Sequence, residues 1–178
     1  MQVAEAQREL RTVYLGSYVG ELVSAALWVI STLLAMVVSP RAGIYALVFG
    51  GALIFPVTSA LLKITRGRGS LSPENPLGAL AAQIAFTIPL NIPVVAGATL
   101  YKLNWFYPAM LIVVGAHYLP FTFLYGMRAF FAFGLAMAGA GLMIGLYANE
   151  SFTLGGWVGA VMLAAFSFVA KAIADREK

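Results

Sequence analysis

The chain contains no cysteine and a single histidine, and only 10% of its residues are charged. Without cysteine there can be no disulfide, thiolate metal site, iron–sulfur cluster or cysteine nucleophile. One histidine falls short of the three protein ligands that catalytic zinc requires, so neither a metal nor a cofactor is expected. A serine hydrolase would place its histidine against a serine on a sharp elbow. His117 is instead followed by Tyr118-Leu119-Pro120. The glycine-bearing segment Arg66-Gly67-Arg68-Gly69 lacks the preceding strand and the lysine of a phosphate loop. The scarcity of charge also excludes an ordinary water-soluble domain, in which about a quarter of the residues are charged.

What the chain has in abundance is apolar surface. Of its 178 residues, 61% are hydrophobic, and the mean hydropathy is +0.88. A fold of this size cannot hide so much apolar surface from water, whereas a bilayer solvates it. Six apolar runs stand out, at about 18–38, 43–63, 77–100, 105–126, 128–148 and 153–173. Each approaches the roughly 20 residues needed to cross a ~30 Å hydrocarbon core. None alternates as a barrel strand does, so the runs are read as helices. The expected fold is an all-α polytopic membrane bundle of six transmembrane helices. Residues 1–17 form a cytoplasmic or interfacial segment, 18–173 the membrane domain and 174–178 a cytoplasmic tail.

The net charge of +4 does not point to nucleic acid, because the basic residues lie in short connections between apolar runs. Arg8, Arg11, Lys63, Arg66, Arg68, Arg128, Lys171, Arg176 and Lys178 fall on one side, nine of the eleven, and only Arg41 and Lys102 on the other. Basic residues accumulate on the cytoplasmic side, which predicts that both termini are cytoplasmic. No cleavable signal peptide is evident, since Glu5, Arg8, Glu9 and Arg11 precede a run long enough to span. The stripe Val3, Ala6, Leu10, Val13 and Tyr14 fits either an interfacial helix or an extension of the first span.

Two features stand out inside the spans, the first structural and the second polar. The first is a set of small residues, Gly134, Ala138, Gly141 and Gly145 in helix five and Gly155, Gly156, Gly159 and Ala160 in helix six. Such faces let helix backbones approach closely and could also serve a homo-oligomer. The second is a polar stripe. Helix three carries Gln83, Thr87 and Asn91 four residues apart, and helix four aligns His117, Phe121, Tyr125 and Arg128, with Tyr118 beside them. Helix one contributes Glu21, Ser24, Trp28, Ser31 and Thr32 on one face. Buried polar groups in membrane helices face the bundle interior, so His117 and Thr87, at similar depth, are expected to meet. Pro56, Pro89, Pro93 and Pro120 predict broken helices around a cavity. For each group the plainer reading, interhelical hydrogen bonding, stays open beside the functional one.

The segments Asn75-Pro76-Leu77, Gly115-Ala116-His117-Tyr118-Leu119-Pro120 and Leu124-Tyr125 resemble a family of uncharacterised small bacterial multi-pass membrane proteins. The resemblance implies an inner-membrane setting and supplies no reaction. The function expected first is binding or transport of a small molecule or lipid. Its pocket would use His117, Thr87, Asn91, Gln83 and Glu21 as polar contacts and Trp28, Phe86, Phe121 and Tyr125 as walls. Two alternatives stand beside it. One is an intramembrane enzyme with His117 as acid or base, assisted by Glu21 or Tyr118; the other is an accessory subunit without a site. The expected partners are the bilayer and the ligand, with no nucleic acid.

Overall fold

A computed structural model describes residues 1–148 and 150–176. The expected connection 149–152 and the last residues of the expected tail thus lie partly outside the described residues. Among these residues there are α-helices and short 3-10 turns and no strand. The α-helices are α1 (Val3–Tyr14), α2 (Tyr18–Val37), α3 (Pro40–Gly50), α4 (Ile54–Arg66), α5 (Leu77–Tyr101), α6 (Phe106–Tyr118), α7 (Phe121–Tyr125), α8 (Ala129–Tyr147) and α9 (Leu154–Arg176). Six stretches are long and apolar enough to cross a membrane: α2 with the preceding α1, α3 with α4, α5, α6 with α7, α8, and α9. The chain is therefore a six-span, all-helical membrane-type bundle.

Local sequence explains where the helices begin and end. Ser39 accepts the Ala42 N–H at 3.2 Å, and Pro40 occupies the first turn of α3. Asn75 Oδ1 accepts the Leu77 N–H at 2.9 Å at the start of α5. Gly67 and Gly126 close α4 and α7 in the left-handed conformation. The second span breaks at Gly51–Leu53, just before Pro56, whose ring conflicts with the carbonyl four residues back. The fourth breaks at Leu119-Pro120. The expectation of a break in the third span is corrected, since α5 runs continuously through Pro89 and Pro93. Prolines are tolerated within membrane helices where local adjustments satisfy the freed carbonyls.

The bundle has a centre and two wings. α2 packs on α9, α9 on α8, and α8 on α6, while α3 and α4 flank α2 and α5 flanks α6. Half of the fourth span is buried, against 11% of the second and third, so those two lie at the perimeter. Small residues set the central spacing. A Cβ on Gly115 would lie 2.6 Å from Gly134 O and Ala138 N, so α6 and α8 touch backbone to backbone. Gly155 and Gly156 receive Tyr107, and Gly159 receives the Trp28 ring. The small-residue faces of α8 and α9 thus pack within the chain.

α1 is neither continuous with α2 nor detached from the bundle. Leu15, Gly16 and Ser17 have φ of 53°, 64° and 77°, a left-handed turn that folds α1 back across one end. Non-glycine residues held there cost on the order of 1–3 kcal/mol each, so the surroundings must enforce the turn. Ala6, Leu10 and Val13, part of the apolar stripe, are buried against the bundle. Polar bonds complete the latch: Gln7 Nε2 donates to Phe123 O and Arg11 Nη1 to Tyr125 O. Glu9 accepts from the Ser72 N–H (2.9 Å), the Ser72 hydroxyl (2.8 Å) and Asn75 Nδ2 (2.7 Å), and it pairs with Arg68. Desolvation pushes the Glu9 carboxyl up, but the Asn75 and Ser72 hydrogen bonds and the Arg68 guanidinium outweigh it and hold the pKa at about 2.

Candidate functional site

The third and fourth spans meet where their polar residues face one another. Thr87 Oγ1 lies 2.7 Å from Ile84 O and 3.0 Å from His117 Nδ1. A threonine hydroxyl has one proton, and the shorter contact takes it. Thr87 then accepts from His117 Nδ1–H. In the neutral imidazole this assignment makes Nε2 the acceptor, one lone pair with a fixed direction. Phe121 holds the ring from the side, edge-on, with centroids 5.0 Å apart. Asn91 donates Nδ2–H to Thr87 O at 2.7 Å, back onto its own helix.

Above this pair is a half-open groove of about 370 Å³. Thr87, Asn91 and Val94 line it from α5, and Val113, Ala116 and His117 line it from α6, with Pro120 at its foot. The break at Leu119-Pro120 ends α6 beside the groove. α5 belongs to the perimeter, and Val94, Ala116 and Pro120 are exposed, so the groove opens sideways from the bundle. No charged side chain lines it. Its walls are apolar and its floor offers acceptors, a pattern suited to an uncharged lipophilic molecule bearing a donor.

The chain belongs to the DUF7010 family of unknown function. The match covers residues 3–172, nearly the whole chain, and so includes α1 as well as the spans. No curated protein and no solved structure matches it. The family contributes no activity, and any reading of this DUF7010 member rests on its own residues.

Not every residue of the expected pocket reaches the groove. Gln83 and Phe86 are exposed on the surface of α5, away from the groove. Trp28 is buried deeper in the bundle, its ring 5.9 Å from that of Tyr107 and against Gly159. Tyr125 is buried with its ring stacked on Phe121, centroids 5.7 Å apart, behind the groove. Glu21 is 1% exposed and belongs to a different cluster, in which Tyr118 donates its hydroxyl to Glu21 Oε2 at 2.8 Å. Neither Tyr118 nor Glu21 lines the groove, although the Tyr118 ring lies edge-on beside that of His117, centroids 5.7 Å apart. The helix-one face is buried as a unit, with Ser31 donating to Gly43 O (2.8 Å) and meeting the Tyr107 hydroxyl (2.7 Å). Val94, Ile112 and Val113 were not singled out as groove residues, because an apolar residue in a membrane helix carries no signal of which neighbour it faces.

Proposed function

We propose that this DUF7010 member binds an uncharged lipophilic molecule carrying a hydroxyl or amide N–H, which enters the α5–α6 groove laterally from the bilayer. The observation that carries the reading is the pairing of Thr87 with His117 Nδ1 at the floor of an open, otherwise apolar groove. That pairing presents Nε2 as an acceptor in a low-dielectric setting, where an unmatched polar group is costly and a matched donor is selected. Binding is the first step of transport, and the same groove would serve as its entry. The basic residues support an orientation with both termini in the cytoplasm, and the resemblance in sequence supports the bacterial inner membrane.

Thermal unfolding in defined bilayers tests the proposal, with a panel of amphiphiles of equal chain length: an alcohol, a primary amide, a methyl ester and an alkane. A ligand at about 100 times its Kd adds about 2.7 kcal/mol to the folded state. The alcohol and the amide should raise the Tm of the wild type, and the ester and the alkane should not. His117→Leu should cost about 1 kcal/mol, because Thr87 keeps its bond to Ile84 O, and should abolish the response. Equal shifts from all four compounds, or an undiminished response in His117→Leu, would contradict the proposal.

A further inference from the structure

The Glu21 cluster is a second polar site, behind the groove and outside its lining. Glu21 Oε2 accepts from Tyr118, while Glu21 Oε1 is buried and closes no hydrogen bond of normal geometry, although the Ser17 side chain approaches the carboxyl. A carboxyl serving only as structural glue would use both oxygens, because an unmatched one inside a bundle is costly. The position of the cluster gives the orphan oxygen a meaning. Glu21 lies one helical turn beyond Ser17, the last residue of the left-handed hinge, and the Ser17 side chain lies beside both Glu21 and Tyr125. Arg11 of α1 bonds to the carbonyl of that same Tyr125. The hinge, the latch and the carboxyl therefore form one connected unit at the α1 end.

We propose that the Glu21–Tyr118 pair is a proton-binding site that exchanges with water at the α1 end when α1 turns away about the Leu15–Ser17 hinge. In the loading step a water-borne proton bonds to Glu21 Oε1 and neutralises the carboxylate. In release that O–H bond breaks, the electron pair stays on the carboxylate, and Tyr118 keeps its hydrogen bond to Oε2. A single carboxylate with phenol neighbours suits a proton and not a metal ion, and no cluster of three ligating side chains occurs among the described residues. The groups facing Glu21 are Tyr118 from α6, Tyr125 from α7 and Ser17 from the hinge, with Tyr14 of α1 beyond Tyr125. The remaining neighbours direct their charges elsewhere. On α9, Lys171 pairs with Asp175 at 2.8 Å and lies over the Tyr18 ring, 6.0 Å from its centroid. On α3, Arg41 and Tyr45 are exposed, as is Lys63 on α4, whose Thr58 brings a buried hydroxyl without a partner. Glu21 lines no part of the groove and reaches His117 only through the edge of the Tyr118 ring, so Glu21→Gln should leave the amphiphile response intact.

Infrared difference spectroscopy on the full chain in bilayers tests the proposal. The wild type should show a protonated-carboxyl band that titrates while the fold is intact and shifts on transfer to deuterium oxide. Glu21→Gln should remove that band. Tyr118→Phe, which retains Glu21 and most of the ring volume, should move it to higher frequency by removing a hydrogen-bond donor. The double variant Gln7→Ala/Arg11→Ala should speed deuterium exchange at the band by about tenfold or more, because two latch bonds are lost. A band that survives both Glu21→Gln and Tyr118→Phe unchanged would overturn the assignment. A band that neither titrates nor exchanges would reduce Glu21 to a fixed hydrogen bond, and exchange indifferent to the latch variant would remove α1 as the gate.

Discussion

Gly16 is where a single residue decides how the N-terminal helix sits. Its φ is 64°, and a Cβ there would lie 2.7 Å from both Ala170 O and the Ala174 Cβ. Gly16→Ala combines left-handed strain of about 1–2 kcal/mol with overpacking of about 1–3 kcal/mol. It should expose α1 to protease while the six spans remain folded, and a cleavage pattern unchanged from wild type would contradict the hinge. Glu9 gives the same latch a pH dependence. Its folded pKa, about 2, lies below the ordinary carboxylate value. Its contribution is therefore complete above about 4.3 and is lost as the pH falls toward 2. The protection factors of the α1 amides, taken relative to the intrinsic exchange rate at each pH, should fall as the pH drops from about 4.3 toward 2, and Glu9→Gln at neutral pH should reproduce the acid behaviour. Protection that stays constant with pH, or a silent Glu9→Gln, would show that the latch does not depend on this carboxylate. None of this was legible beforehand, because a single glycine flanked by Leu15 and Ser17 is weak warning of three consecutive left-handed residues.

At the scale of helices, the spans were legible because length and hydropathy are properties of the sequence itself, and the observed elements follow the six runs closely. Partners were legible only where spacing and depth agreed. Thr87 and His117 meet because both lie near the middle of their spans on polar faces. Gln83 shares their stripe but is exposed, because α5 touches little besides α6 and so buries only a narrow face. Glu21 was grouped with His117 because both are rare polar groups within spans. Sequence does not say on which side of α6 each neighbour lies, and the structure sends Tyr118 to Glu21 and His117 to Thr87. The α6–α8 contact yields a further prediction. Gly115→Leu would press a side chain into the backbone at Gly134 and Ala138, which cannot shift as a flexible side chain does. It should destabilise the bundle by at least about 1–3 kcal/mol, whereas Gly139→Leu, with open space around its Cβ position, should stay within about 1 kcal/mol of wild type. Equal effects at the two sites would refute the close approach of α6 and α8.

The molecule as a whole is a central bundle with two perimeter spans. α1, the loop after α4, the α7–α8 turn and the end of α9 gather at one end, and Arg41 and Lys102 lie toward the other. The absence of cysteine permits a clean test of orientation. Single cysteines at Arg68 and Arg176 should react with a membrane-impermeant reagent only from the cytoplasmic face, and one at Leu103 only from outside. Labelling of position 176 from outside would invert the proposed orientation. The central claim concerns the groove, and Val113, half-buried in its wall, is the place to measure it. In bilayers, Val113→Cys should react with a lipid-soluble maleimide. A long-chain alcohol should slow that reaction and an alkane should not, and His117→Leu should abolish the protection. Reaction slowed equally by both compounds, or protection that persists without His117, would show that the groove is ordinary lipid-facing surface.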